Sequence, residues 1–370
     1  MVDRLVTRRS YSVIVTTYGE VERPTLRGLW PMSRKILKTV TRQIARIPTA
    51  LIYFVADYRS AKHYLKWKVN RYRSSLNGVN RAQSDTLRTA LARQVGGPIR
   101  GNPDLTVSDA CYFVAPTLEE ALCQSARQYN GTIVVPMFPV ESDFSCGIAC
   151  RMLADNCATP AISQTRVLSR LWSDPALHDL YADYLFTTLE PAIRAAAGTG
   201  SIGLILVIHG TIVAGRDGKP SRLFTGLQET NAFFNAMKQR LLTDSRNLFT
   251  DIQQGCLNHS RGGQWTAETV EHAIAGLKER QCNTVVMFPY GFFADNSETE
   301  LDACNKLKEA AFQRWQYVRC INNSPAFGDW LAGKVTAAIN DLDCWLDAVE
   351  SLGKPAPAPH IEPGNCGRSC

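Results

Sequence analysis

Leu204-Ile205-Leu206-Val207-Ile208-His209-Gly210 is an apolar run that stops on a ring side chain and a glycine. Its length and aliphatic, β-branched content suit a strand buried on both faces of a parallel sheet. Val13 to Gly19 (VIVTTYG) follows the same plan, closing on Tyr18 and Gly19. A second pair exists, because Thr132 to Pro139 (TIVVPMFP) resembles Thr284 to Pro289 (TVVMFP). Helical patterns lie between these runs, for example over 82–94, 116–128 and 267–280. Strands alternating with helices, in a plan used twice, predict an α/β chain of two similar Rossmann-like domains. Each is a parallel sheet flanked by helices, with a cleft between them. The expected divisions are 1–197, 198–350, and a tail over 351–370 that joins a proline-rich linker to Cys366 and Cys370. Gly198 to Gly203 spells G-x-G-x-x-G but precedes a strand, the wrong context for a dinucleotide site.

The bulk numbers agree with this plan. A chain of 370 residues suits two domains of middling size. A hydrophobic share of 45% and a charged share of 20% are those of a globular protein in water. No run of eighteen apolar residues is present, and no apolar stretch follows the first arginines, so a cytoplasmic protein is expected. In that setting the twelve cysteines are expected as thiols or metal ligands. The net charge of +7 is uneven: Arg34 to Arg73 holds eleven Lys or Arg against one acid, Asp57. A patch of this kind seeks an anionic partner, whether phospholipid, nucleic acid or a carboxylate-bearing ligand. Arg34, Lys38, Arg42 and Arg46 recur every four residues beside Ile36, Leu37, Val40, Ile44 and Ile47. The segment 33–47 therefore reads as a basic amphipathic helix, either touching a membrane peripherally or packed as a plain surface helix. No nucleic-acid-binding motif or aromatic platform accompanies the charge, so nucleic acid is not expected.

Ligands of open α/β sheets bind beyond the carboxyl ends of the strands. Tyr18, His209, the segment 139–146 and the segment 290–298 should therefore converge. A histidine at a strand end can act as a base near neutral pH, ligate a metal, or simply bond to backbone. Glu298 and Asp302 are four apart and would share one helical face. Such a pair can pass a cation along or share protons; acids also favour the first turn of any helix.

Tyr290-Gly291-Phe292-Phe293-Ala294-Asp295, followed by Glu298 and Asp302, resembles the signature of the ferrochelatase family. Ile208-His209-Gly210 is similar to the family's strand-end histidine, and Val13 to Gly19 to its opening strand. Asp251 to Trp265 and Leu171 to Pro175 resemble two further stretches, all in the family's order over roughly 12–345. The resemblance implies a chelatase-type fold with a porphyrin in the cleft and Fe2+ as substrate, in haem biosynthesis. It implies His209 as proton acceptor or metal-facing residue and Glu298 as its carboxylate partner. Asp302 would continue the acidic row, with Tyr18 and Trp265 against the ring. Protoporphyrin IX and coproporphyrin III are the expected porphyrins, with basic residues at the lip of the cleft, 33–73, meeting propionates. The chain departs from the family at Asn296, where histidine is frequent, and at Lys306, where the acidic row would continue.

Some members hold a [2Fe–2S] cluster on one mid-chain and three C-terminal cysteines. Here that implies Cys146, Cys366 and Cys370, with a fourth thiolate from Cys150, Cys157 or Cys344. Free thiols are the alternative. Two other functions fit the same fold: a chelatase for another tetrapyrrole and metal, such as sirohydrochlorin with cobalt, and a non-catalytic porphyrin or haem carrier. A hydrolase built on His209-Gly210-Thr211 lacks the G-x-S-x-G elbow.

Overall fold

The computed structural model describes residues 8–44, 47–94, 96–198, 200–215, 217–259 and 263–352. The chain opens with β1 (Ser10–Thr17) and three helices, α1 (Leu26–Ile44), α2 (Thr49–Val69) and α3 (Leu76–Ala92). It continues through β2 (Asp104–Cys111), α4 (Leu118–Gln128), β3 (Gly131–Pro136), α5 (Cys146–Asn156), α6 (Thr159–Ser163) and β4 (Thr165–Val167). Two helices, α7 (Pro175–Thr188) and α8 (Pro191–Ala196), lead to β5 (Ile202–His209) and β6 (Ile212–Ala214). Then come α9 (Leu227–Leu242), β7 (Asp251–Leu257), β8 (Gln264–Trp265), α10 (Val270–Glu279) and β9 (Thr284–Phe288). The chain closes with α11 (Cys304–Glu309), β10 (Arg314–Tyr317) and the long α12 (Pro325–Leu352).

Two four-stranded sheets result, ordered β2-β1-β3-β4 and β7-β5-β9-β10. All pairings within them are parallel, and the two orders are the same when each is read from its second strand. This is the α/β architecture of paired Rossmann-like sheets that the repeated strand motif predicts. The four runs read from sequence are the inner strands β1, β3, β5 and β9. Helices cover both faces, so their side chains are buried on both sides: Val13, Ile14, Val15 and Leu204 to Val207 are fully enclosed.

The helices are exchanged between the sheets. α12 lies against α3, β3 and β4, whereas α7 and α8 lie against α9 and β10. Phe327, Leu331, Val335, Ile339, Leu342 and Leu346 of α12 are all buried, in one core cluster that also holds Val13, Ile133, Leu204 and Val286. Each such side chain contributes about 1.5–3 kcal/mol on burial, so the helix as a whole rivals the net stability of a domain, about 5–15 kcal/mol. Asp343 ties α12 to the first strand, accepting the Tyr11 hydroxyl at 2.6 Å and the Arg9 guanidinium at 2.7 Å.

The basic segment forms the hairpin of α1 and α2. Arg34 grips Asp57 through two bonds, at 2.8 and 2.6 Å, and Lys35 meets Glu119. Within the expected apolar stripe Ile36 packs partly into the core around β1, while Ile47 is exposed. The side chains of Ile44 and Arg46 lie outside the described residues. The exposed apolar face belongs mainly to α2, where Leu51, Phe54, Tyr58, Leu65 and Val69 point outward, Val69 at 82% exposure. Among the described residues no helix is long and apolar enough to cross a membrane. The ten cysteines described are free thiols.

Candidate functional site

Three strand ends build the site. β5 stays buried through Ile208 and emerges at His209. Its neighbour β7 pairs Leu257 with His209, and the chain leaves that strand as Asn258-His259. A β-carbon on Gly210 would lie 1.7 Å from the Asn258 side-chain oxygen, so only glycine lets the two strand ends meet this closely. After β9, the turn through 289–297 is anchored by Asp295, which is fully buried. It binds the Arg319 guanidinium at 2.7 Å, the Cys320 N–H at 3.0 Å and the Asn322 amide at 2.8 Å.

Glu298 comes next, and its backbone is held from two sides. The Asn296 side-chain oxygen accepts the N–H groups of Glu298 and Thr299 at 2.9 and 3.2 Å. This is the capping role that suits asparagine. The Ser297 hydroxyl donates to Glu20, which follows β1, at 2.5 Å. Burial pushes the Glu20 carboxyl up, against the pull of its bonds from Ser297 and Ser74. From Glu298 to Ala303 the chain makes a π-helical turn, not the α-turn expected, before α11 begins. The wider turn buries Thr299, Leu301 and Ala303, and Leu301 packs on Trp67 and Tyr72. π-Turns of this sort are frequent at functional sites.

The side chains then converge. His209 Nε2 stands 3.8 Å from Glu298 Oε1, His259 Nε2 stands 3.9 Å from the same oxygen, and the two nitrogens are 3.3 Å apart. Among the described residues these three are the group of His, Cys, Asp and Glu close enough to hold one metal ion. The imidazoles cross at 68° with centroids 5.0 Å apart, and the Trp265 ring flanks both, 5.3 Å from His259 and 6.1 Å from His209. His209 Nδ1 lies 2.7 Å from the Gly210 carbonyl. That oxygen can only accept, so Nδ1 carries a proton toward it and Nε2 is the ring nitrogen turned to Glu298.

α2 forms the opposite wall of a cavity of about 260 Å³, supplying Arg59, His63, Lys66 and Trp67. Burial, with Arg59 and Lys66 alongside, depresses His63 to about 4. Burial and the neighbouring His209 take His259 to about 4 as well. Both rings are therefore neutral at pH 7. Burial alone would raise the Glu298 carboxyl, but His209 and His259, with Arg59 and His63 beyond them, hold it below its ordinary value. The site thus combines unprotonated nitrogens with one carboxylate, a donor set suited to a divalent transition metal.

The other expected residues divide. Tyr18 follows β1 in a nest of Tyr112, Phe113 and Phe138 and donates its hydroxyl to the Phe144 carbonyl. Burial raises its phenol pKa, and the charge of Glu298 adds to the effect. Asp302 lines the cavity but is paired with Lys66, and Lys306 is paired with Glu271. Charge along the expected acidic row is therefore locally neutralised. Cys146 and Cys150 are buried one turn apart on α5, while Cys366 and Cys370 lie outside the described residues. Sequence reasoning did not single out the roles of His259, Glu20, Arg59 and His63. The Asn258-His259 step at the end of a strand was the available signal for the first.

The ferrochelatase family model matches residues 12–339. The chain is also similar to the ferrochelatase of Neisseria meningitidis serogroup B, at 21% identity over 341 residues, or 90% of this chain and 94% of that one. A ferrochelatase of Nitrobacter hamburgensis is 24% identical over 301 residues, 78% of this chain and 79% of that protein. One from Rippkaea orientalis is 24% identical over 329 residues, 83% of this chain and 78% of that protein.

Proposed function

Since the chain belongs to the ferrochelatase family, we propose that it is a metal chelatase of haem synthesis in which His209 and Glu298 serve the insertion of Fe2+ into a porphyrin. The observation that carries the reading is the 3.8 Å approach of His209 Nε2 to Glu298 Oε1 at the carboxyl ends of the strands. Insertion requires that two pyrrole N–H protons leave while Fe2+ sheds water. His209, with its proton fixed on Nδ1, offers Nε2 as acceptor or as iron ligand. Glu298 supplies the anion that attracts the cation and the second acceptor. Tyr18 and Trp265 would meet the ring, and Arg59 or Lys66 its carboxylates. The exposed apolar face of α2 beside the cavity would bring the lip to a membrane surface, extending the contact expected of 33–47.

The porphyrin is protoporphyrin IX or coproporphyrin III. Anaerobic incubation of the protein with Fe2+ and each porphyrin, followed in the Soret band, names it. His209→Ala and Glu298→Gln should each lower the rate by about 10²–10⁴-fold. Porphyrin binding without turnover, unchanged in both variants, would leave a carrier. The second imidazole of His259 also favours a neighbouring reading, insertion of cobalt into sirohydrochlorin, because imidazole serves several first-row metals. Co2+ with sirohydrochlorin, run in parallel, separates the two.

A further inference from the structure

We propose that His259 is a direct ligand of the incoming Fe2+, so that the ion is presented to the ring from a three-point mount of His209, His259 and Glu298. The inference rests on the iron-insertion reading for the identity of the cation, while the number of ligands stands on geometry alone. The three donor atoms form a nearly equilateral triangle with sides of 3.3, 3.8 and 3.9 Å. The point equidistant from all three lies about 2.1 Å from each, the bond length that imidazole nitrogen and carboxylate oxygen make to a small divalent metal.

The supporting contacts point the same way. The Gly210 carbonyl fixes the His209 tautomer, an outer-shell bond typical of metal-bound histidine. Asn258, the residue before His259, is clamped by its amide to the Thr266 carbonyl at 2.6 Å and by its oxygen to the Thr266 hydroxyl at 3.1 Å. Trp265 closes the side of both rings. Two imidazole nitrogens aimed at each other over 3.3 Å need a proton or a cation between them. An ion at the centre of the triangle satisfies both.

An ion at that point lies in the plane of its three donors and leaves both sides of that plane open. The ring nitrogens can take those open positions while the protein still holds the ion. A single carboxylate against a dication leaves a net positive charge on the mount, so the ion is not trapped there. It can pass to the porphyrin while the two pyrrole protons move the other way, onto the His209 and Glu298 donor atoms that the departing ion frees.

The test is direct binding of Fe2+ to porphyrin-free protein, by anaerobic calorimetry, with iron X-ray absorption counting the imidazoles. Wild type should bind one Fe2+ with two imidazoles in its shell. His259→Gln should show one imidazole and an affinity lower by about tenfold or more, since loss of an outer-shell partner alone costs about 10–100-fold. The KM for Fe2+ should rise with it while the KM for porphyrin stays put, and His259→Asp, which restores a ligand atom, should recover part of the affinity. Circular dichroism checks that each variant is folded, and the Asp variant keeps the test informative should Gln fail to fold. One imidazole in the wild-type shell, no Fe2+ binding without porphyrin, or an unchanged affinity in His259→Gln would each overturn the proposal. Turnover with a one-imidazole shell would defeat this inference and spare the chelatase reading. A two-imidazole shell without turnover would do the reverse.

Discussion

Replacing Gly210 by alanine tests how the strand ends carry the site. The added β-carbon would fall 1.7 Å from Asn258 Oδ1, 2.9 Å from its Cγ and 3.0 Å from the Thr266 hydroxyl. Asn258 must then retreat by more than about 1 Å in a packed interior. Its two bonds to Thr266 are lost or stretched, at about 0.5–1.5 kcal/mol each, on top of about 1–3 kcal/mol for overpacking. The total is roughly 2–6 kcal/mol, a large share of a domain's net stability. Because Asn258 adjoins His259, the ring moves too, and a misplacement near 1 Å can lower the rate of iron insertion by about 100-fold. Urea unfolding followed by tryptophan fluorescence measures the first effect and the Soret assay the second. Asn258→Ala removes the obstructing oxygen, so the double variant should be more stable than the sum of the singles, by roughly 1–3 kcal/mol. A Gly210→Ala protein that unfolds at the wild-type urea concentration, with strictly additive behaviour in the double variant, would refute the steric argument.

Asp343→Ala should destabilise by about 2–4 kcal/mol in urea, because the buried Tyr11 hydroxyl and Arg9 lose their acceptor; Asp343→Asn should lose less. The bonds from Tyr11 and Arg9 hold the Asp343 carboxyl below its usual range against the effect of burial, so its contribution is complete at neutral pH and fades as acid protonates the folded protein. With His63 and His259 near 4 in the folded state, the unfolded chain binds more protons between that value and about 6.5. Stability of metal-free protein should therefore fall as pH drops through this window, and His63→Gln should flatten the thermal-melting profile there. Phe54→Glu with Tyr58→Glu should cut co-sedimentation with phospholipid vesicles by about tenfold or more while leaving insertion into a water-soluble porphyrin intact; unchanged sedimentation would remove α2 from the membrane contact.

What the sequence revealed follows where burial was two-sided. β1, β3, β5 and β9 sit inside the sheets and are written in continuous apolar letters. β2, β4, β7 and β10 are edge strands, and runs such as Asp251-Ile252-Gln253-Gln254 lack that signal. His209 and Glu298 were singled out from the sequence because one closes an inner strand and the other follows one. His259 follows an edge strand, and its partnership depends on a register that pairs Leu257 with His209, which no local pattern specifies. The α-helical spacing assumed for Glu298 and Asp302 gave way to a π-turn, within which Leu301 packs on Trp67 of α2 and on Tyr72. The charge excess over 34–73 was plain in composition. That α2 would turn Arg59, His63 and Lys66 toward the site, and its aromatic face outward, was a matter of tertiary packing.

The exchange of helices between the sheets limits how anything can enter or leave. A hinge opening of the two walls would have to draw the apolar face of α12 out of the core around β3, at a cost comparable to the net stability of a domain. Calorimetry should accordingly find a single cooperative melt for both halves. On the side where α2 stands, the cavity wall is held by the Lys66–Asp302 pair and by the Trp67 contact with Leu301. There the cavity is bounded by local side-chain contacts and not by the shared core.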